Sequence, residues 1–401
     1  MSIYQRFGIA PIINAAGTLT RLGGTVMRPE VRDAMSDAAS GLVPIDELQA
    51  AASDVIAQTC GCEAGFVTSG ASAGLTLATA ACLAGFDLPT MDRLPRIDGG
   101  RSEVIMFRTH RNSYDHAYRA AGATLVEVGM SDRASGVGVR EGEPWELAAA
   151  ITERTAAIAY TASPDAQPSL AAVSAVARRH GIPVIVDAAG QLPPPSNLRR
   201  FIAEGADLVS FSGGKALRGP QGTGVLAGRR DLIASVALQQ LDMDVTFDLW
   251  EPPPRLIPKE RLPGAPRHGV GRGYKVSKEQ IVGLMVALEL YDETQARADA
   301  LRWTQWLSMM QRGLGECRGI RTVIVPPRYE LGFPLLEIHL DSRAGTVGAH
   351  ELIRRMRDGS PRIFLGERKV IDGAAIIHPM NLDEGSVAIV LQRLLAVLND
   401  G

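Results

Sequence analysis

Short apolar runs alternate with amphipathic stretches through the middle of the chain. Val104–Phe107, Thr124–Val128, Ala156–Thr161, Pro183–Val186, Leu208–Phe211 and Gly224–Ala227 read as buried strands. Apolar residues recur at helical spacing over Ser72–Leu83, Tyr114–Ala121, Trp145–Thr152, Leu170–His180 and Asn197–Glu204. Strands that are apolar almost throughout and separated by helices predict an α/β fold, a three-layer αβα domain whose mostly parallel sheet is covered on both faces. In such sheets ligands bind beyond the carboxyl ends of the strands. Asp187, Ser210, Ser212 and Lys215 fall at or just past those ends.

The pattern changes after residue 250. The segment 251–268 contains six prolines and reads as a boundary or a lid, because proline removes backbone donors and breaks helices. Two helices are then expected over Lys278–Thr294 and Arg297–Leu314. Strands Thr322–Val325, Leu335–Leu340 and Ala374–Ile377 interleave with helices Val347–Arg357 and Gly385–Leu398, the pattern of a small α+β domain. Pro29–Ser40 is helical. The expected division is a large domain over 46–265, with 1–45 packing beside a small domain over 266–401.

With 401 residues, 46% of them hydrophobic, the chain is long enough for one large core and one smaller one. A formal net charge of −2 argues against nucleic acid or an anionic membrane as the main partner. The first residues lack the apolar core of a signal peptide, and no apolar run approaches the roughly 20 residues that span a bilayer. Cys60 and Cys62 are too close for the usual Cys-x-x-Cys metal or redox geometry, and neither a disulfide framework nor a metal site is expected. These features describe a soluble cytoplasmic protein with reduced thiols.

The most informative stretch is Ala206-Asp-Leu-Val-Ser-Phe-Ser-Gly-Gly-Lys-Ala-Leu-Arg-Gly-Pro-Gln-Gly-Thr-Gly224. An apolar strand delivers Lys215 among residues too small to block a ring. A lysine in a glycine-rich turn could be a surface charge. Presented this way, however, its amine can form an imine with an aldehyde cofactor. Asp187 closes Ile182-Pro-Val-Ile-Val-Asp187, and Ala188-Ala189-Gly190 after it leaves room for a flat ligand. Asp187 could be a strand-end cap, or it could hold a pyridine nitrogen protonated. Gln191 could donate to a ring oxygen or to the backbone.

Thr68-Ser-Gly-Ala-Ser72 joins an apolar run to a helix. Small and hydroxyl residues there make either an ordinary N-cap or an anion site. His110 follows the Val104–Phe107 strand and could stack on a heteroaromatic ring or serve as a structural hydrogen-bonder; His116 lies in the next helix. Arg21, Arg272 and Arg362 are candidate ligands for a substrate carboxylate or phosphate. A P-loop is excluded, since the Gly-x-x-x-x-Gly-Lys-Ser/Thr spacing is absent.

Together these motifs make the chain resemble fold-type I pyridoxal phosphate (PLP) enzymes, in the group around bacterial selenocysteine synthase and D-glucosaminate-6-phosphate ammonia-lyase. The resemblance runs through Ile13-Asn-Ala-Ala-Gly-Thr-Leu-Thr-Arg-Leu-Gly-Gly24, Gly61-Cys-Glu-Ala-Gly-Phe-Val-Thr-Ser-Gly-Ala-Ser72, Ser212-Gly-Gly-Lys-Ala-Leu-Arg-Gly-Pro-Gln221 and Gly271-Arg-Gly-Tyr-Lys-Val-Ser-Lys-Glu-Gln-Ile-Val-Gly283. It implies a PLP-dependent transferase-like fold in which Lys215 forms the Schiff base and Asp187 contacts the pyridine nitrogen. It further implies that Thr68, Ser69, Gly70, Ala71, Ser210 and Ser212 surround the phosphate and that His110 lies over the ring; Ala189 and Gln191, just past Asp187, are further cofactor-side candidates. Asn14, Arg21, Arg272 and Arg362 are the substrate-side candidates. Family members are dimers, or rings of dimers, with active sites at the dimer interface.

Selenocysteine synthases carry an N-terminal helical domain for tRNA, whereas here the Asn14 motif stands almost at the first residue, so a small-molecule substrate is expected. The sequence around Ser163-Pro-Asp-Ala-Gln-Pro168 does not match the ammonia-lyase relatives clearly. The expected chemistry is removal of a Cα proton from an amino acid. With a β-hydroxyl, elimination and release of ammonia follow. Racemisation and transamination are the alternatives on the same residues, and a PLP-fold sensor or assembly protein is the non-enzymatic one.

Overall fold

The computed structural model describes residues 2–131, 139–140, 142–315, 317–341 and 347–399. It divides into two compact units. One comprises residues 27–192 and 196–291, the other residues 1–26, 193–195 and 292–401.

The larger unit holds a seven-stranded sheet. Its strands lie in the order Ala64–Thr68, Gly224–Gly228, Leu208–Ser212, Val184–Asp187, Thr155–Thr161, Glu103–Phe107, Thr124–Val128. Six run parallel; Gly224–Gly228 is antiparallel to both of its neighbours. The reason is local. Residues 213–223 are a compact return too short for a crossover helix, so the chain must come back the opposite way. The helix Ala71–Ala84 is buried along nearly its whole length, and its Leu75 and Leu77 pack with Leu208, Leu226, Ile185 and Met106. The α/β class and mostly parallel sheet expected from the pattern are what the structure has.

Several expectations are corrected. The Pro-rich segment is no free-standing lid: Trp250, Leu256, Ile257 and Leu262 are buried in the core of the large unit. The boundaries of the units lie elsewhere than 46 and 265. The helix Pro29–Ala39 packs on Lys278–Glu289 within the large unit, at a close crossing where a side chain on Gly283 would meet Met35 Cγ at 2.7 Å. The helix expected over Lys278–Thr294 ends at Glu289, and Asp292 caps a new helix, Glu293–Leu314, by accepting from the Gln295 amide. The helix Arg230–Gln240, buried on all sides, has no amphipathic stripe to reveal it in the sequence.

The smaller unit contains an antiparallel sheet of Ile320–Val325, Leu335–Leu340 and Ala374–Ile377. A separate parallel pair joins Ile12–Ala15 to Arg362–Leu365. Helices Glu293–Leu314, Ala349–Asp358 and Glu384–Asn399 enclose its core, which includes Leu307, Leu336, Leu352, Ile363 and Leu394. No helix among the described residues is long and apolar enough to cross a membrane.

Candidate active site

The parallel strands end along one edge of the large sheet. Thr68, Phe107, Val128, Thr161, Asp187 and Ser212 are the last residues of their strands there, and Gly224, the first residue of the antiparallel strand, sits between Thr68 and Ser212. Asp187 is the register partner of Thr161 on one side and of Ser210 on the other. Its carboxylate accepts from the Ala189 amide at 3.0 Å. Burial pushes the Asp187 carboxyl above its usual range, opposed by that hydrogen bond and by the positive charge of Lys215. Lys215 is half-buried in the turn after the Leu208–Ser212 strand. Its Nζ lies 4.0 Å from where a side chain on Gly190 would begin. The amine and the carboxylate singled out in the sequence therefore share one neighbourhood, kept open by a glycine.

A second feature lies two strands beyond the Leu208–Ser212 strand that leads to Lys215. Gly70, at φ +95°, turns the chain from the Ala64–Thr68 strand into the helix Ala71–Ala84, whose N-terminus carries no side-chain cap. Its first-turn amides and the positive end of the helix dipole suit an anion. Thr68 Oγ1 donates to the Gly70 carbonyl and Ser210 Oγ to the Ala71 carbonyl, both at 2.9 Å and both fully buried. These two hydroxyls shape the loop, donating their protons to its backbone carbonyls. Ser212, two residues beyond Ser210 and on the same face of its strand, is half-buried, as are Ser69 and Gly70.

The loop also depends on Gly224. An added side chain there would meet Gly70 C at 2.5 Å and Ala71 N at 2.7 Å. Gly224→Ala is therefore expected to displace the loop backbone, lowering stability by about 1–3 kcal/mol and weakening binding of a phosphorylated cofactor at least tenfold. Thermal unfolding and fluorescence titration check this; unchanged affinity would mean that the loop does not hold the phosphate.

His110 is buried. Its Nδ1 accepts from the Thr161 amide at 3.4 Å, and its ring meets Tyr160 edge-on at 4.7 Å. It thus stands one strand from Asp187, while His116 is exposed. The Gln191 amide donates to the Ala162 carbonyl at 2.7 Å, the backbone alternative of the two readings. Tyr118 was not legible as a site residue. Its hydroxyl is buried without a hydrogen-bond partner among the described residues, and Asp187 is among the charges that act on it.

The four substrate-side candidates divide between the units. Arg272, in the large unit, pairs with Asp242 at 2.7 Å. In the small unit Asn14 is buried and closes its own turn, donating to the Gly17 carbonyl and accepting from the Ala16 amide, both at 2.9 Å. Arg21 pairs with Glu367 at 2.9 Å, and Arg362 is exposed over the Phe364 ring.

The large-unit residues fit pyridoxal phosphate. An uncapped helix start suits its phosphate, a buried carboxylate with a raised pKa suits a protonated pyridine nitrogen, and Lys215 supplies the amine for its aldehyde.

Comparison with known proteins bears on the same residues. The family described as SelA, L-seryl-tRNA selenium transferase, matches residues 114–249, which include Asp187 and Lys215. D-glucosaminate-6-phosphate ammonia lyase of Salmonella typhimurium is 30% identical, covering 98% of this chain and 97% of the relative. A 5'-C-glycyluridine monooxygenase-decarboxylase of a Streptomyces species is also 30% identical, covering 99% and 92%. The solved structure of a D-glucosaminate-6-phosphate ammonia-lyase superposes with a TM-score of 0.80 at 28% identity, over 100% of this chain and 99% of that one. A cysteine desulfurase from Thermococcus onnurineus shares the fold at a TM-score of 0.55 and 15% identity. The chain thus belongs to the selenocysteine synthase-like group of fold-type I enzymes, the group of D-glucosaminate-6-phosphate ammonia lyase, and its cofactor is pyridoxal 5'-phosphate.

Proposed function

We propose that the protein is an ammonia lyase for a hydroxyamino acid or an amino-sugar acid, with Lys215 moving the Cα proton. The observation that carries this reading is the shared neighbourhood of the Lys215 amine and the buried Asp187 carboxylate at the strand ends. When bound, the cofactor supplies an electrophilic carbon for the substrate amine and a ring that withdraws electrons from Cα. Asp187 holds a proton at the ring nitrogen, and its burial makes the carboxylate a strong partner for that cation. The helix start at Ala71–Ala73 would hold the phosphate, together with Ser69 and Ser212. His110, held edge-on against Tyr160, would line the cofactor ring. Lys215 Nζ takes the Cα proton, and the β-hydroxyl leaves with a proton as water. One water is consumed when the nitrogen departs as ammonia, so the products are a 2-oxo acid and ammonia with no net change in water.

D-glucosaminate 6-phosphate is the first substrate to try, given the full-length likeness to the Salmonella enzyme. The loaded enzyme is expected to release ammonia and a 2-oxo acid in equal amounts from one member of a panel of D- and L-hydroxyamino acids and amino-sugar acids. Exchange of the α-proton in deuterated water without ammonia would sink the lyase reading in favour of a racemase. Transfer of the amino group to an added 2-oxo acid would favour an aminotransferase. The equally similar monooxygenase-decarboxylase supports a second reading, in which the bond from Cα to the carboxyl group breaks instead. Oxygen uptake with carbon dioxide release distinguishes it. A homodimer fits the exposed Ile3, Tyr4, Phe7 and Ile9 near the start of the chain.

A further inference from the structure

The small unit contains a cleft of about 300 Å³ between the C-terminal end of the helix Ala349–Asp358 and the last helix, Glu384–Asn399. It is lined by Arg354, Arg355, Asp358, Gly359 and Arg393, with Val397 at one wall. Cations outnumber anions here. Arg354 and Arg355 share Glu351, at 2.8 and 2.7 Å. Asp358 is divided between Arg354 at 3.6 Å and Arg357 at 3.3 Å. Arg393 has no carboxylate partner among the described residues, and its Nε is buried with no acceptor. A guanidinium with no carboxylate beside it is well placed to take an anion through those N–H groups that line the cleft.

The position of Arg393 depends on Gly359. A side chain on residue 359 would begin 1.9 Å from Arg393 Nη2 and 2.9 Å from Cζ. Gly359 has φ −78°, which any residue adopts, so backbone conformation does not require a glycine there. Its missing side chain is what admits the guanidinium. The planar fork of arginine matches the oxygens of a phosphate, with which it forms two parallel hydrogen bonds. A cleft of this size, at the lower end of the range for small-ligand sites, accepts a phosphorylated metabolite as well as the free ion.

We propose that this cleft is a binding site for a phosphate dianion, either inorganic phosphate or a phosphate monoester, with Arg393 as its principal ligand and Arg354 and Arg355 supplying the surrounding charge. The site is built wholly from small-unit side chains and does not rest on the lyase reading.

The test is calorimetry on the PLP-loaded protein with inorganic phosphate, glucose 6-phosphate and, as a neutral control, glucose. Phosphate is expected to bind and glucose not to. Tighter binding of glucose 6-phosphate than of inorganic phosphate would assign the site to a monoester, and equal binding would assign it to the free ion. Arg393→Gln removes the charge. Gly359→Ala keeps the charge but displaces the guanidinium, at little risk to the fold because the far end of a long side chain can move aside. Both are expected to weaken phosphate binding at least tenfold while leaving the cofactor absorption and turnover unchanged. The proposal fails if wild-type protein gives no binding heat with millimolar phosphate, or if Gly359→Ala binds phosphate as tightly as wild type.

Discussion

Lys215→Ala is expected to abolish the visible absorption of the cofactor imine and to lower turnover by about 10³-fold or more, since it removes both the amine that holds the aldehyde and the group that moves the Cα proton. The fold is expected to survive. Lys215 lies half-buried in a turn, and the core beneath it is made by Phe211, Leu217 and Val225, which the substitution does not touch. Absorption spectra, circular dichroism and steady-state rates measured on one preparation decide the matter. A variant with full activity would overturn the site assignment. A variant that keeps the visible band but loses turnover would mean that another lysine forms the imine.

Asp187→Asn is the second large effect, and it separates function from stability. At saturating cofactor, kcat is expected to fall about 10²–10³-fold, because a neutral amide cannot hold the ring nitrogen protonated. The cofactor-free protein should respond in the opposite sense. Burial raises the Asp187 carboxyl above its usual 3.8, so between the two values the native chain binds more protons than the unfolded chain. The stability associated with this group is therefore present at low pH and lost as pH rises through the raised value. Asparagine removes that dependence. The cofactor-free variant should match or exceed wild type in Tm at pH 7, and its Tm should vary less from pH 4 upward. A loss of kcat smaller than tenfold would remove Asp187 from the machinery, whatever the Tm.

Much of the site could be read from local pattern. A carboxylate closing Val184–Asp187 and a lysine just past Leu208–Ser212 announce themselves, because a buried strand must be apolar and whatever polar residue follows it emerges at the sheet edge. The glycine before the helix Ala71–Ala84 marks a sharp turn in the same way. Side-chain hydroxyls were harder to assign. Thr68 and Ser210 have the composition of phosphate ligands, yet each spends its proton on a carbonyl that the fold brings near, and for Ser210 that carbonyl is 139 residues away in sequence. The amide of Gln191 is held by Ala162 for the same reason.

From the sequence alone came the α/β class, the mostly parallel sheet and the strand-end positions of Lys215 and Asp187, since periodicity and strand-end position are properties of short windows. Tertiary structure alone decided the rest. The pairing of Ile12–Ala15 with Arg362–Leu365, the burial of the proline-rich segment and the close approach of Arg393 to Gly359 all join parts of the chain whose local sequence carries no trace of the partner. Such contacts are selected by the packing of whole elements, where shape and burial over many side chains outweigh any preference of a single segment.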